Sequence, residues 1–150
     1  MKKNFVNLKN ANGRGAYTSV LKKITQDKVC PFCPAHFKYH TRPILRTSKY
    51  WLVTENMSPY AGTKKHFLFI HKKHIETPNK LSALAWKELL SHINWVSRKY
   101  KLPASGFFMR FGDTRYTGAT VAHPHAQMIF GTKKGKGSFL IGPTLGFGKK

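Results

Sequence analysis

The sequence predicts an α+β fold: a mostly antiparallel sheet of about five strands carrying two helices. Three observations lead there. Apolar residues recur at helical spacing around residues 16–24 and 81–100. Short β-branched or aromatic runs give the order helix, strand, strand, strand, helix, strand, strand. Hairpin-length connections between successive runs favour antiparallel pairing, and segregated elements indicate α+β rather than repeated βαβ units.

The elements follow in chain order. Residues 1–14 carry Lys2, Lys3, Lys9 and Arg14 among Asn and Gly, which predicts a basic, loosely ordered arm. Ala16, Tyr17, Val20, Leu21 and Ile24 predict a short helix ending before Cys30. Pro31, Pro34 and Pro43 break the next stretch into loop. Ile44–Thr47 and Tyr50–Thr54 read as two short strands, tightly joined; residues 56–62 are turn-rich, and His66–His71 is an apolar strand.

Thr77-Pro78-Asn79 sets up a helix start. Leu81, Leu84, Ala85, Leu89, Ile93, Val96 and Tyr100 form one stripe, so a helix spans about residues 80–101. Trp86 and Trp95 lie about 180° apart on it, so both cannot face one core. Pro103 and Gly106 end the helix, and Phe107–Phe111 and His125–Phe130 are two further strands. The last 20 residues hold six Gly and five Lys, a flexible basic tail whose Phe139–Ile141 patch can dock. The organisation is therefore an arm over 1–14, one domain over 15–131 and a tail over 132–150, with no internal repeat.

A chain of 150 residues can bury roughly 68–70% of its unfolded surface. With 41% hydrophobic and 13% aromatic residues it is not a disordered polycation. Lys and Arg number 27 against 5 acids, a net charge of +22. The acids, Asp27, Glu55, Glu76, Glu88 and Asp113, are scattered. That argues against a two-carboxylate glycosidase and against a Ca²⁺ or Mg²⁺ cage built by the protein alone. The charge favours a polyanionic partner, either a nucleotide or nucleic acid reached through the basic ends; bulk solubility is the bland alternative. No apolar run approaches the ~20 residues of a membrane span, and no apolar stretch follows the basic start as in a signal peptide. Cys30 and Cys33 alone make no secreted disulfide framework, so a cytoplasmic protein with reduced thiols is expected.

The most informative segment is His123-Pro124-His125-Ala126-Gln127-Met128-Ile129. In an extended chain His123, His125 and Gln127 project to one face. Three polar side chains in a row are costly to bury without partners, so the row suggests a site. A neutral imidazole is a nucleophile, and the ordinary histidine pKa of about 6.5 leaves it mostly neutral at pH 7. A solvated edge strand is the plain alternative. Upstream, Gly112, Gly118, Ala119 and Thr120 can bring backbone N–H groups to a phosphate, with Asp113 among them and Arg110 and Arg115 supplying charge.

Cys30-Pro31-Phe32-Cys33 has the spacing that lets two thiolates reach one Zn²⁺, but it is half a site. His36 or His40 could complete it as a tight loop. A redox pair or two buried structural thiols are the other readings.

Taken together these motifs resemble the histidine triad superfamily, whose pattern is His-x-His-x-His/Gln followed by apolar residues. More narrowly, the chain resembles the branch with Gln at the third position. That branch includes galactose-1-phosphate uridylyltransferase and some diadenosine polyphosphate phosphorylases. The block from Trp51 to Tyr60, with Asn56 and Pro59, and the strand from His66 ending in Lys73-His74 are similar to that family as well. The resemblance covers about residues 16–131 and implies a HIT-like fold.

The resemblance also implies roles. His123, His125 and Gln127 form the catalytic row. His125 would attack the α-phosphorus to give a nucleotidyl-histidine, and Gln127 would hydrogen-bond the phosphoryl oxygens. Thr120 would line the phosphate site, beside the Gly118 already read as a phosphate-approaching turn, and Asn56 would meet ribose hydroxyls. The family often has Asn where this chain has Gly112, so Arg110 and Asp113 are the expected substitutes. A structural zinc would be held by Cys30, Cys33, His74 and His123, and the protein would be a homodimer. The substrate implied is a dinucleoside polyphosphate or related nucleotide conjugate. The Gln resembles members that pass the nucleotidyl group to phosphate rather than to water. The rivals are an aprataxin-like enzyme that removes adenylate from nucleic-acid 5′ ends, and a non-enzymatic basic nucleic-acid-binding protein.

Overall fold

A computed structural model describes residues 5–11 and 15–149. Its regular elements are α1 (Gly15–Asp27), β1 (Ile44–Thr47), β2 (Trp51–Glu55), β3 (Lys65–His71), α2 (Ala83–Lys99), β4 (Gly106–Arg110), α3 (Thr114–Thr117) and β5 (His125–Phe130). Short 3₁₀ turns occur at Leu8–Ala11, Pro34–Tyr39 and Pro78–Lys80. The five strands form one antiparallel sheet in the order β1-β2-β3-β5-β4.

Strand alternation divides the sheet into two faces. Trp51, Val53, Phe67, Phe69, Ala126 and Met128 pack under α2, against Ala85, Leu89 and Val96. The Trp51 indole donates to the Ala85 carbonyl at 2.7 Å, which satisfies the one polar atom of that large side chain. Ser82 caps α2 by accepting from the Ala85 N–H at 3.1 Å, and Arg98 and Lys99 in its last turn suit the helix dipole. The opposite face carries Leu52, Leu68 and Ile70, covered by Cys30, Phe32 and Val121. Leu21 and Ile24 of α1 pack with Val6 and Ala11 beside them. α2 therefore occupies one face and leaves the other for the polar row of β5.

The predicted elements lie close to where the periodicity put them, with strand limits displaced by about one residue; the long helix starts later than expected, because Pro78–Lys80 forms a separate 3₁₀ turn and Ser82 caps a helix over Ala83–Lys99. Three differences matter for the site. Residues 5–11 are not loose: Val6 bridges to Val121, the Asn7 N–H donates to the Thr120 carbonyl at 2.8 Å, and the Ala122 N–H donates to the Phe5 carbonyl at 2.9 Å. The basic residues Lys2, Lys3 and Arg14 lie outside the described residues. The four-residue α3, capped by Asp113, has too few positions to show a helical period. Finally, the tail has no regular structure but makes contacts. The Thr144 carbonyl accepts from Arg110 at 2.6 Å, and a Cβ on Gly118, whose φ is +69°, would lie 2.5 Å from the Thr144 methyl. No helix among the described residues is long and apolar enough to cross a membrane.

Candidate functional site

The site is built by register. β5 pairs His125 with Arg110 of β4 and Ile70 of β3; it pairs Gln127 with Phe108 and Leu68. All of these point to the face opposite α2. His66 lies two residues before Leu68 and so shares that face, diagonally beside Gln127. Tyr17, Phe32, Asn56, Tyr60, Leu68, Arg110, Thr120, Val121, His125 and Gln127 line a half-open pocket of about 40 Å³. That volume suits a water rather than a nucleotide.

His125 and Gln127 are buried, at 6% and 3% exposure. The His125 Nδ1 lies 2.7 Å from the His123 carbonyl, an acceptor only, so Nδ1 carries the proton and Nε2 keeps its lone pair. Burial pushes the His125 pKa down to about 4, partly countered by that carbonyl, with the charge of Arg110, and that of His66 whenever its ring is protonated, lowering it further. The ring is neutral at pH 7. Phe32 meets it edge-on at 5.0 Å.

The Thr120 hydroxyl donates to the Asn10 carbonyl at 3.3 Å. Arg110 donates to the carbonyls of Thr144 (2.6 Å) and Gly118 (3.3 Å), while its buried Nε has no partner. Gly118 itself stands behind Arg110 and does not line the cavity.

Asp113 is displaced from the expected place. It accepts from the Arg115 backbone N–H at 2.8 Å, capping α3, and pairs with the Arg115 guanidinium at 2.6 Å on the surface. It faces a separate groove with Val6, Lys9 and Glu76. As a short acid before a helical turn it serves as a cap, and sequence proximity to Gly112 misplaced it.

A second cluster adjoins the first. Ligand-capable atoms of Cys30, Cys33, His74 and His123 all lie within 4.8 Å of one another. The Cys30 Sγ is 3.3 Å and the Cys33 Sγ 3.9 Å from His123 Nδ1; Cys33 Sγ is 3.6 Å from His74 Nδ1, and the two Nδ1 atoms are 3.2 Å apart. Tetrahedral zinc with bonds of about 2.0–2.3 Å puts its ligand atoms roughly 3.3–3.8 Å apart, so the spacing fits.

The tautomers fit as well. His123 Nε2 donates to the His71 carbonyl at 2.5 Å, and His74 Nε2 donates to the Glu76 carboxylate at 3.2 Å. Each ring therefore turns an unprotonated Nδ1 to the centre, oriented by the outer partners typical of metal-bound histidines. Burial pushes the His123 pKa down to about 3, keeping the ring neutral, and pushes the Cys30 thiol up to about 12. Binding a dication there would displace the thiol proton. Neither His36 nor His40 joins this cluster: the His40 Nε2 faces Thr54 (2.9 Å) and the Glu55 carbonyl (3.1 Å).

Sequence reasoning missed His66 and the tail's contact with Arg110, whereas the expected docking of the tail's apolar patch is seen where the Phe139 ring lies against Gly62 and Ile141 against Gly131. His66 was legible only as the first residue of an apolar strand, although its even spacing from Leu68 and Ile70 sets it on the site face. Nothing local marks Thr144, whose contact with Arg110 spans 34 residues.

No protein-family model matches the chain, and no curated protein matches it. Its structure is similar to solved ones. A HIT family hydrolase from Legionella pneumophila superposes with a TM-score of 0.57 at 19% identity, over 73% of this chain and 98% of that one. A histidine triad nucleotide-binding protein from Candida albicans gives 0.55 at 14% identity, over 74% and 86%. A zinc-bound histidine triad family protein from Mycobacterium smegmatis gives 0.53 at 16% identity, over 76% and 83%. The chain thus has the fold of the histidine triad proteins.

Proposed function

We propose that this chain, built on the histidine triad fold, is a nucleotidyl-transferring enzyme for dinucleoside polyphosphates or related nucleotide conjugates. The observation that carries the reading is His125. It is a neutral imidazole with Nδ1 committed to the His123 carbonyl and Nε2 left as a nucleophile beside Arg110 and Gln127. The solved structures named above, a hydrolase and a nucleotide-binding protein among them, support it by fold.

The His125 Nε2 attacks the α-phosphorus; a P–N bond forms and the bond to the bridging oxygen breaks, releasing the remaining polyphosphate nucleotide. Nδ1–H stays on the carbonyl as positive charge builds on the ring. Gln127 and Arg110 donate to the phosphoryl oxygens, where negative charge accumulates. Thr120 walls the phosphate side, and Asn56, which accepts from the Ser58 N–H at 2.9 Å, stands at the sugar side. An acceptor, phosphate or water, then displaces His125. Zinc held by Cys30, Cys33, His74 and His123 supplies a structural cross-link with no open position for water.

The test is product analysis with diadenosine tetraphosphate, with and without phosphate. ADP plus ATP identifies phosphorolysis; AMP plus ATP identifies asymmetric hydrolysis. Neither pair, at any phosphate concentration, would remove the reading. A second reading takes 5′-adenylated nucleic acid as substrate, or nucleic acid as a bound partner without catalysis. It is favoured by a groove of about 650 Å³ carrying Lys134, Lys136 and the exposed Phe139 and Leu140. Tight binding of long strands that weakens steeply with salt would support it.

A homodimer is part of the proposal. β4 is a sheet edge, and edges invite pairing. Exposed apolar side chains occur on that strand, Phe107 (41% exposed), and one turn apart on α2, Trp86 (42%) and Leu90 (58%).

A further inference from the structure

The geometry around Gln127 points to a positioning residue: we propose that His66 locks the Gln127 carboxamide so that its N–H₂ group, and not its oxygen, faces the phosphate site. This rests on the nucleotidyl-transfer reading, and deepens it. Phosphoryl oxygens are acceptors only, so an amide nitrogen aimed at them stabilises developing charge whereas an amide oxygen repels it. A glutamine can present either end. A neutral histidine at the same position would settle the matter by its tautomer, one nitrogen donating and the other accepting, whereas a carboxamide settles it by a flip of the whole group. The Gln form of the row therefore needs a partner that chooses the end.

His66 makes that choice. It is 3% exposed, and its Nε2 lies 2.9 Å from Gln127 Oε1. The direction of that bond follows from the other ring nitrogen. The Tyr60 backbone N–H donates to His66 Nδ1 at 3.3 Å. A backbone N–H can only donate, so Nδ1 holds the lone pair and Nε2 the proton in the neutral ring. Nε2–H then donates to Oε1, which turns the Gln127 nitrogen to the cavity.

Asn56 does not compete for either lone pair. Its Nδ2 is 3.1 Å from His66 Nε2 and 3.4 Å from Nδ1. Near-equal distances to both nitrogens place it over the ring face, since a position along one lone pair would lengthen the other distance. Its orientation is fixed because Oδ1 already accepts from the Ser58 N–H. The Tyr60 ring, 4.9 Å from the His66 ring, restrains the imidazole further. The turn at residues 56–60 thereby reads out, through one tautomer, which atom of Gln127 meets the substrate.

The experiment uses the full chain. Long-range proton–nitrogen correlation should show His66 protonated at Nε2, with one set of Gln127 side-chain amide resonances that shifts or splits in His66→Ala. With diadenosine tetraphosphate, His66→Ala should lower kcat on the order of 10²-fold, the loss expected of a mispositioned group, and change KM little. His66→Gln, whose amide nitrogen can overlay Nε2, should restore part of the rate. An Nδ1-protonated His66, or a Gln127 amide signal unchanged in His66→Ala, would overturn the inference even if the protein turned over no nucleotide. A folded His66→Ala with wild-type kcat would overturn it where turnover is found. Absence of turnover in the wild type, with the expected tautomer and amide response, would instead count only against the proposed reaction.

Discussion

The Nδ1 atoms of His74 and His123 face each other across 3.2 Å, and in the neutral tautomers set by their far nitrogens both present lone pairs. The protons sit on the far nitrogens, held by the Glu76 carboxylate and the His71 carbonyl. Two lone pairs at that distance repel unless a cation lies between them, and the Cys30 and Cys33 sulfurs are placed to complete the shell of such an ion. Purified protein should carry about one zinc per chain. Cys30→Ser, or chelation, should remove it and lower the melting temperature, because metal affinity is folding free energy. Full zinc occupancy in a His74→Ala, His123→Ala double variant would exclude this ligand set.

The proposal gives His125 and His123, neighbours in the row, separate tasks, and substitutions should separate them. His125→Ala removes the bond-forming atom and should abolish turnover while zinc content and nucleotide affinity stay nearly unchanged. His123→Ala should lose zinc and stability together. Gln127→His should move products from ADP toward AMP in the presence of phosphate. A nucleotidyl adduct found by mass spectrometry on His123 or on a lysine, with His125→Ala still active, would overturn the mechanism.

Periodicity accounts for what was legible. The stripe of α2 and the alternation of β5 are local patterns, and they placed His125 and Gln127 opposite Ala126 and Met128. Cys30 and Cys33 showed half of a metal site; the other half came with the family resemblance, since His74 and His123 lie 41 and 90 residues beyond Cys33. What stayed hidden was set by distant pairing. Val6 is an ordinary apolar residue until it bridges to Val121, and Asn10 anchors the chain through the carbonyls of Thr114 and Ala119, more than 100 residues away. Asp113 shows the converse error, a residue assigned by proximity in sequence whose side chain is spent on its own helix cap.

His40 gives the fold a pH dependence. Thr54 donates its hydroxyl to the Pro43 carbonyl, so it accepts from His40 Nε2, and the neutral ring stacks on Phe37. Burial lowers the His40 pKa from 6.5 to about 4, and nearby Arg42 adds to that. Between those values the unfolded chain binds a proton that the folded one excludes. This contribution to stability is present above pH 6.5 and is lost as pH falls toward 4. Thermal melts across that window should show a smaller decline for His40→Gln than for the wild type. Equal slopes would assign the dependence to other groups.

The exposed apolar residues of β4 and α2 predict an association that charge can break. Phe107→Glu with Leu90→Glu puts like charges into a face that would meet its own copy. Sedimentation should show a dimer for the wild type and a folded monomer for the variant. A wild type that sediments as a monomer at high concentration would remove the homodimer from the proposal.

The tail contact makes the sharpest claim about substrate affinity. Arg110 spends its Nη1 on the Thr144 carbonyl, and its buried Nε has no partner, so a phosphate reaching this arginine competes with the protein's own backbone. Deleting residues 143–148 removes that carbonyl and keeps both terminal lysines, leaving the net charge unchanged. A hydrogen bond to a charged group contributes about 1.5–3 kcal/mol, so releasing it should lower KM for a polyphosphate nucleotide by about tenfold or more. kcat should be unaltered, because the tail touches neither His125 nor Gln127 among the described contacts. Gly118→Ala offers the same release without a deletion, since its Cβ would displace the Thr144 methyl. Its left-handed φ adds a cost of about 1 kcal/mol to the fold, which a melt would register. If the deletion variant is folded and its kcat falls, the tail is instead a wall of the site, and Arg110 needs Thr144 to hold its guanidinium in place.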